Sequence, residues 1–374
     1  MKDMANVVIV DELATSSGER LIGRLTLNKP KALNALDLEM ATIMLDALMC
    51  WQSRDDIVAV VIDAEGDKAF CAGGDIVSMY NAMLESDNGI PPFLEDFFKT
   101  EYTLDYTIHN YTKPVLVWGS GIVMGGGMGL LCGASHRIVT ETSKLAMPEI
   151  TIGLYPDVGG SYFLPRLPGK TGVFLGLTGG QMNASDACFV GLADHMVSST
   201  QKDALLHALQ DHAWEKTASP SDDVSKLISQ LDKPSENIVG NVEKNLSLIN
   251  SLCQSEAAVD VVHAILNADM QGDKWLTRAQ STLAKGSPIT MHLVVEQCRR
   301  GATLSLSECF KMEANLSCRC GESGEFQEGV RALLIDKDMK PKWKYATVND
   351  VPSDVIEHFF SSPWASGSHP LNAL

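Results

Sequence analysis

The sequence predicts an α/β fold with a helical C-terminal region. Three observations point there. Strand-like and helix-like segments alternate through the first half, one strand-like segment at 57–62 is almost wholly β-branched, and from about residue 169 helical spacing takes over.

The elements follow in order. Residues 6–10 read as a first strand, and 20–27 alternate apolar and polar as a half-buried strand does. Residues 36–51 carry apolar side chains at helical spacing. The run Ile57-Val58-Ala59-Val60-Val61-Ile62 suits a strand covered on both faces. A glycine-bearing turn leads to a helix from Ile76. Residues 114–118 repeat the pattern, with a turn and a helix over about 126–133, and 136–140 form another strand. Helices are then expected at 203–214, 224–231, 237–253, 257–267 and 305–318, with 218–222 as a linker or exposed turn. At 374 residues the chain exceeds the usual single core. It is divided here into a core at 1–210 and a mainly helical region at 211–374 that completes the fold.

A formal net charge of −17 excludes broad binding to nucleic acid or to an anionic membrane, which needs a basic face. It leaves room for an anionic small ligand held by local lysines or helix N-termini. The nine cysteines are scattered, with no Cys-x-x-Cys; Cys318-Arg319-Cys320 is too tightly spaced for a zinc knuckle. Free thiols in a reducing compartment are the expectation. The first residues carry no apolar signal core, and no apolar run approaches a membrane span. A soluble, cytoplasmic protein is therefore expected.

Chemistry concentrates in three stretches. Residues 68–76, Lys-Ala-Phe-Cys-Ala-Gly-Gly-Asp-Ile, join a buried strand to a helix, and Gly73 and Gly74 let a ligand approach the backbone closely. Residues 121–129, Gly-Ile-Val-Met-Gly-Gly-Gly-Met-Gly, form a second such junction, where free N–H groups and the helix dipole favour developing negative charge. Residues 147–160 then place Glu149 and Asp157 either side of a Gly-Leu-Tyr-Pro turn. Together these suit attack on a carbonyl and stabilisation of the oxyanion. Other readings fail. The dinucleotide fingerprint breaks at its third glycine, and no phosphate loop is present. Neither Ser120 nor Ser161 has a Gly-x-Ser-x-Gly frame. No histidine sits in a metal-binding spacing, and His136 reads as structural.

The motifs Phe70-Cys71-Ala72-Gly73-Gly74-Asp75, Met124-Gly125-Gly126-Gly127 and Met147-Pro148-Glu149 with Gly153 resemble those of the crotonase (enoyl-CoA hydratase/isomerase) superfamily. The resemblance implies a crotonase-like spiral of ββα units, an acyl-CoA thioester as substrate, and an oxyanion hole made by the N–H groups of Gly74 and Gly126. Hydratases of the family carry a first glutamate where this chain has Gly129, and commonly a glycine where it has Asp157. The Glu149/Asp157 pair resembles instead the branch that hydrolyses 3-hydroxyisobutyryl-CoA. That likeness continues through residues 161–167 and resumes at 326–332, 335–338 and 341–344.

The resemblance thus implies a hydrolase of short 3-hydroxyacyl-CoA thioesters in valine breakdown. It needs no metal or redox cofactor, CoA being part of the substrate. Glu149 attacks the carbonyl or deprotonates water, and the residues leave both routes open. Asp157 accepts a hydrogen bond from the substrate's 3-hydroxyl or positions water or the leaving thiol. Glu101 matches a further substrate-contacting glutamate of the branch; a solvated helix charge is its plain alternative. Lys29, Lys31 and Lys68 flank the loops where the family holds CoA phosphates, and by composition each is a surface lysine. Arg331 and Asp338 read as a salt-bridge feature. Two alternatives stand beside the hydrolase: a hydratase or isomerase using Glu149 alone, and a non-catalytic interaction protein. The oligomeric state is left open, and a eukaryotic homologue would be expected in mitochondria.

Overall fold

A computed structural model describes residues 6–86 and 89–374. Residues 1–5, where the absence of a targeting core was read, lie outside the described residues, as do 87 and 88. The chain forms two compact units that interleave along the sequence. The first comprises Met1–Gly74, Leu104–Leu145 and Met182–Gly240; the second comprises Asp75–Thr103, Ala146–Gln181 and Asn241–Leu374. The boundary expected near residue 210 falls inside the first unit. Two helical segments, 75–103 and 146–181, belong with the C-terminal helices although strands flank them in sequence.

The first unit carries the strands. They are β1 (Val8–Ala14), β2 (Leu21–Leu27), β3 (Ile57–Ala64), β4 (Ala69–Cys71), β5 (Val115–Gly119), β6 (Ile122–Met124), β7 (His136–Val139), β8 (Lys144–Ala146) and β9 (His195–Met196). A six-stranded sheet runs in the order β1-β2-β3-β5-β7-β9, and β4-β6-β8 make a smaller one. Among the described residues, only β1 and β2 pair antiparallel in the large sheet, with Val8 opposite Leu27; the strands after them are parallel. The β-branched run is β3, buried along almost its whole length as a parallel strand covered on both faces should be. Its one acid, Asp63, is satisfied by Arg24 Nη2 and Thr26 Oγ1, each at 2.7 Å.

The helix Leu38–Gln52 starts where Asp37 accepts from the Met40 N–H at 2.8 Å, and it presses Trp51 onto β2. A Cβ at Gly23 would stand 2.6 Å from the Trp51 ring, so only glycine admits that contact. Ile22, Leu116, Trp118, Leu209 and Trp214 pack into one apolar cluster of this unit. Residues 218–222 do not form a linker. Ser219 and Pro220 open the helix Pro220–Ser229, Ser219 as its N-cap and Pro220 at its first position. Ser and Pro serve turns and helix starts alike, which is why composition misread them.

The second unit is helical. The helix Pro288–Gly301 is capped by Ser287, which accepts from the Thr290 N–H at 3.2 Å. The helix Leu306–Ser323 opens on a capping box between Ser305 and Glu308 and ends at Gly324, whose φ is +83°. These two helices face the functional stretch 147–161 and supply it with Gln297, Glu313 and Ser317. Among the described residues, no helix is long and apolar enough to cross a membrane.

Candidate active site

In the first unit the two glycine loops lie against each other. β4 and β6 are parallel neighbours, and each loop leaves the end of its strand. A Cβ at Gly73 would sit 3.6 Å from Met124 O, and one at Gly127 would sit 2.5 Å from Cys71 O. The first is an ordinary contact, but the second is a clash that would drive the loops apart, so Gly127 permits the approach. Gly73 has φ +114°, and its carbonyl accepts from the Leu36 N–H at 2.8 Å, which anchors the loop just before Gly74. Gly125, at φ +48°, caps the helix Gly126–Gly133. Gly126 is thus the first residue of a helix, where backbone N–H groups have no intrahelical acceptor. Gly129 lies buried in the same helix and brings no carboxylate.

The lysines proposed for CoA are on the turns beside these loops. Asn34 Nδ2 donates to Ala69 O at 3.0 Å, tying the Pro30–Ala32 turn to the start of β4. Lys31 and Lys68 are exposed there, whereas Lys29 is held by Asp37 at 2.7 Å.

In the second unit, the turn Glu149–Ile152 closes on Gly153, whose φ is +69°. A Cβ at Gly153 would meet Glu325 O at 2.5 Å, so the turn is closed in a way only glycine allows. Glu149 is 5 % exposed, and its Oε2 has no hydrogen-bond partner among the described residues. Burial, with the charge of Asp157 added, holds its carboxyl well above the ordinary glutamate range. The two acids recognised in the sequence therefore share one electrostatic site.

Asp157 is 4 % exposed, and its Oδ2 lies 2.7 Å from the Tyr102 hydroxyl. Burial raises its carboxyl to about 6, against the lowering effect of that hydroxyl. The backbone after it is strained: Val158, a β-branched residue, has φ +51°. That conformation costs on the order of 1–3 kcal/mol and persists where the surroundings fix it. They do so here. Glu313 accepts the Gly159 N–H at 2.8 Å and the Ser161 N–H at 2.7 Å, while Gln297 Nε2 donates to Pro156 O at 2.6 Å.

Behind Asp157 a chain of hydroxyls runs inward. Tyr102 Oη lies 2.6 Å from Ser317 Oγ, Ser317 lies 2.8 Å from Tyr155 Oη, and Tyr155 donates to Glu313 O at 2.7 Å. Of this support, only Tyr155 stood within the stretch that drew attention in the sequence. The usable signal for the rest was the four-residue spacing of Glu313 and Ser317 within an expected helix, which puts both on one face.

Glu101, on the helix Pro92–His109, is 2 % exposed and is no solvated charge. Arg331 makes ion pairs with Glu328 at 2.8 Å and Asp338 at 2.9 Å, the salt-bridge feature expected. His136 contacts Ser135 and Ser225 at 2.9 and 3.0 Å, a structural role. All nine cysteines are free thiols.

The profile of the enoyl-CoA hydratase/isomerase family matches residues 22–360. A protein of Danio rerio named mitochondrial 3-hydroxyisobutyryl-CoA hydrolase is 40% identical over 343 residues, 91% of this chain and 87% of the relative. Its namesake in Xenopus laevis is 38% identical, over 96% of this chain and 91% of the relative. The solved structure described as an enoyl-CoA hydratase from Rhodobacter sphaeroides 2.4.1 matches with a TM-score of 0.83 at 32% identity, covering 96% of this chain and 98% of that one. Glycine loops, buried glutamate and whole-chain likeness agree, and the chain belongs to the enoyl-CoA hydratase/isomerase family.

Proposed function

We propose that this protein hydrolyses the thioester of 3-hydroxyisobutyryl-CoA to 3-hydroxyisobutyrate and CoA. The observation that carries the reading is the buried pair itself. Glu149 presents an unpartnered carboxyl oxygen, and Asp157 lies within its electrostatic reach where an ordinary hydratase would have no acid. Relatives bearing the hydrolase name match this chain at 36–40% identity, which supports the same branch.

In this reading the N–H groups of Gly74 and Gly126 take the charge that develops on the thioester oxygen. Glu149, once ionised, either adds to the carbonyl carbon or takes a proton from the water that does. The C–S bond then breaks, and the CoA thiolate leaves and is protonated; where Glu149 itself has added, water then cleaves the resulting anhydride, releasing the acid and restoring the Glu149 carboxylate. Asp157 reads the 3-hydroxyl, a demand that an acyl chain without one fails to meet. Lys29, Lys31 and Lys68 are the cations offered to CoA, and no metal or redox cofactor takes part. Free thiols throughout suit a reducing compartment, and the cytoplasm is the placement proposed.

A thiol-release assay on 3-hydroxyisobutyryl-CoA, run beside an absorbance assay on crotonyl-CoA, tests the reading. Thiol release with no loss of the enoyl absorbance is expected, and Glu149→Gln should abolish release while CoA-ester binding survives. Hydration of crotonyl-CoA without thiol release would instead assign the hydratase activity. Co-purification with RNA or a large complex, without turnover, would assign a binding role.

A further inference from the structure

The hydroxyl chain behind Asp157 has one more contact than its own hydrogens can fill. Four oxygen–oxygen contacts link Asp157, Tyr102, Ser317, Tyr155 and the Glu313 carbonyl, at 2.7, 2.6, 2.8 and 2.7 Å. Three hydroxyls supply three hydrogens. The Glu313 carbonyl has none to give, so Tyr155 must donate to it. Ser317 must then donate to Tyr155, and Tyr102 to Ser317. The remaining contact, Tyr102 with Asp157, takes its hydrogen from the carboxyl. If Asp157 ionises, the Tyr102 hydrogen turns to it, and one short contact on either side of Ser317 is left with lone pairs facing each other.

We propose that the chain Tyr102–Ser317–Tyr155 holds Asp157 as a neutral acid, so that Glu149 can ionise without a second negative charge beside it. Tyr102, Ser317 and Tyr155 are thus positioning residues that act through Asp157; the consequence for Glu149 rests on its proposed role in hydrolysis. The surroundings agree. Among the described residues, the titratable groups whose charges act on the chain and Asp157 are Glu101 and Tyr102 on one helix, Glu149 and Tyr155 in the 147–160 stretch, and Glu313 and Cys320 on another helix, with no cation among them. Both phenols are pushed up by burial and keep their hydrogens. Burial raises the Asp157 carboxyl to about 6 against the lowering effect of the Tyr102 hydroxyl.

The test is an infrared titration of the Asp157 carboxyl, its band identified by subtraction of Asp157→Asn. In the unsubstituted protein the acid form should persist to about pH 6, the value to which burial raises the carboxyl. Ser317→Ala and Tyr155→Phe each remove one more contact than hydrogen, so the anion then fits. Each should lower the midpoint by about one pH unit, close to 1.4 kcal/mol, although neither residue touches the carboxyl. Tyr102→Phe takes away the anion's side-chain donor and should leave the midpoint at or above the unsubstituted value. General loosening of the site would move all three the same way. An Asp157 already ionised at pH 5, or a midpoint unmoved in both Ser317→Ala and Tyr155→Phe, overturns the proposal. In active variants the acid limb of kcat/KM should move to higher pH in Ser317→Ala and Tyr155→Phe. The titration uses no substrate, so a failed hydrolase assay would bear on the reaction and not on the protonation of Asp157.

Discussion

Gly159 donates its N–H to Glu313 Oε2 at 2.8 Å, and through this bond a helix residue fixes the strained backbone that follows Asp157. The other carboxyl oxygen takes the Ser161 N–H at 2.7 Å, so Glu313 bridges the loop at two points. Glutamine keeps the shape but turns an NH2 group toward one of those N–H donors. Glu313→Gln should therefore destabilise the fold by about 2–3 kcal/mol, the cost of leaving a buried donor unpaired. It should also change the response to pH. Burial raises the Glu313 carboxyl to about 8 from an ordinary 4.5, so between those values the folded state binds more protons than the unfolded state. Stability from this group is full below pH 4.5 and is lost as pH rises toward 8. Urea midpoints from pH 5 to 8 should fall more steeply for the unsubstituted protein than for Glu313→Gln. Parallel slopes would mean that Glu313 does not titrate there.

The candidate site could be picked out in the sequence where its residues are contiguous and not where the fold assembles them. Glu149, Asp157 and the glycines around them fall within residues 147–160, and the two glycine loops each follow a strand, so local pattern singles them out as candidates. Tyr102 and Ser317 meet across 215 residues of sequence, and a tyrosine in an amphipathic helix reads as ordinary core. Glu101 shows the same limit, since helical spacing alone does not separate a buried acid from a solvated one. The strand-bearing elements were readable because β3 and β5 are buried on both faces and nearly all apolar. The interleaving of the two units was not, because it depends on which helices pack together and not on any local preference.

Gly127 offers a test of the first unit alone. An alanine Cβ there would stand 2.5 Å from the Cys71 carbonyl oxygen and 2.9 Å from its Cβ. The oxygen is backbone, so relief requires the 71–74 loop to move, and Gly74 moves with it. Gly127→Ala should lose about 1–3 kcal/mol of stability, as overpacked sites do. Its kcat should fall by roughly 100-fold, the cost of misplacing one oxyanion donor, while KM changes little. Steady-state kinetics on 3-hydroxyisobutyryl-CoA, with a urea melt of the same sample, measures both. A destabilised variant with an unaltered kcat would show that the Gly74 N–H is not a donor to the transition state.

Asp157→Gly separates recognition of the hydroxyl from the chemistry. Without the carboxyl, Tyr102 donates to Ser317, Ser317 to Tyr155 and Tyr155 to the Glu313 carbonyl, so three hydrogens fill three contacts and no hydroxyl is orphaned. The variant should therefore fold, and its kinetics should report the missing acid. If Asp157 accepts the 3-hydroxyl, the unsubstituted protein must leave a buried acceptor unpaired with isobutyryl-CoA but not with 3-hydroxyisobutyryl-CoA. Removing the acceptor removes that penalty. The ratio of kcat/KM between the two thioesters should then fall by about tenfold or more, equivalent to 1.4 kcal/mol. The loss should lie mainly on the hydroxylated substrate. Equal losses on both substrates would reassign Asp157 to the chemical step, where handling of water or of the leaving thiol serves every acyl chain alike.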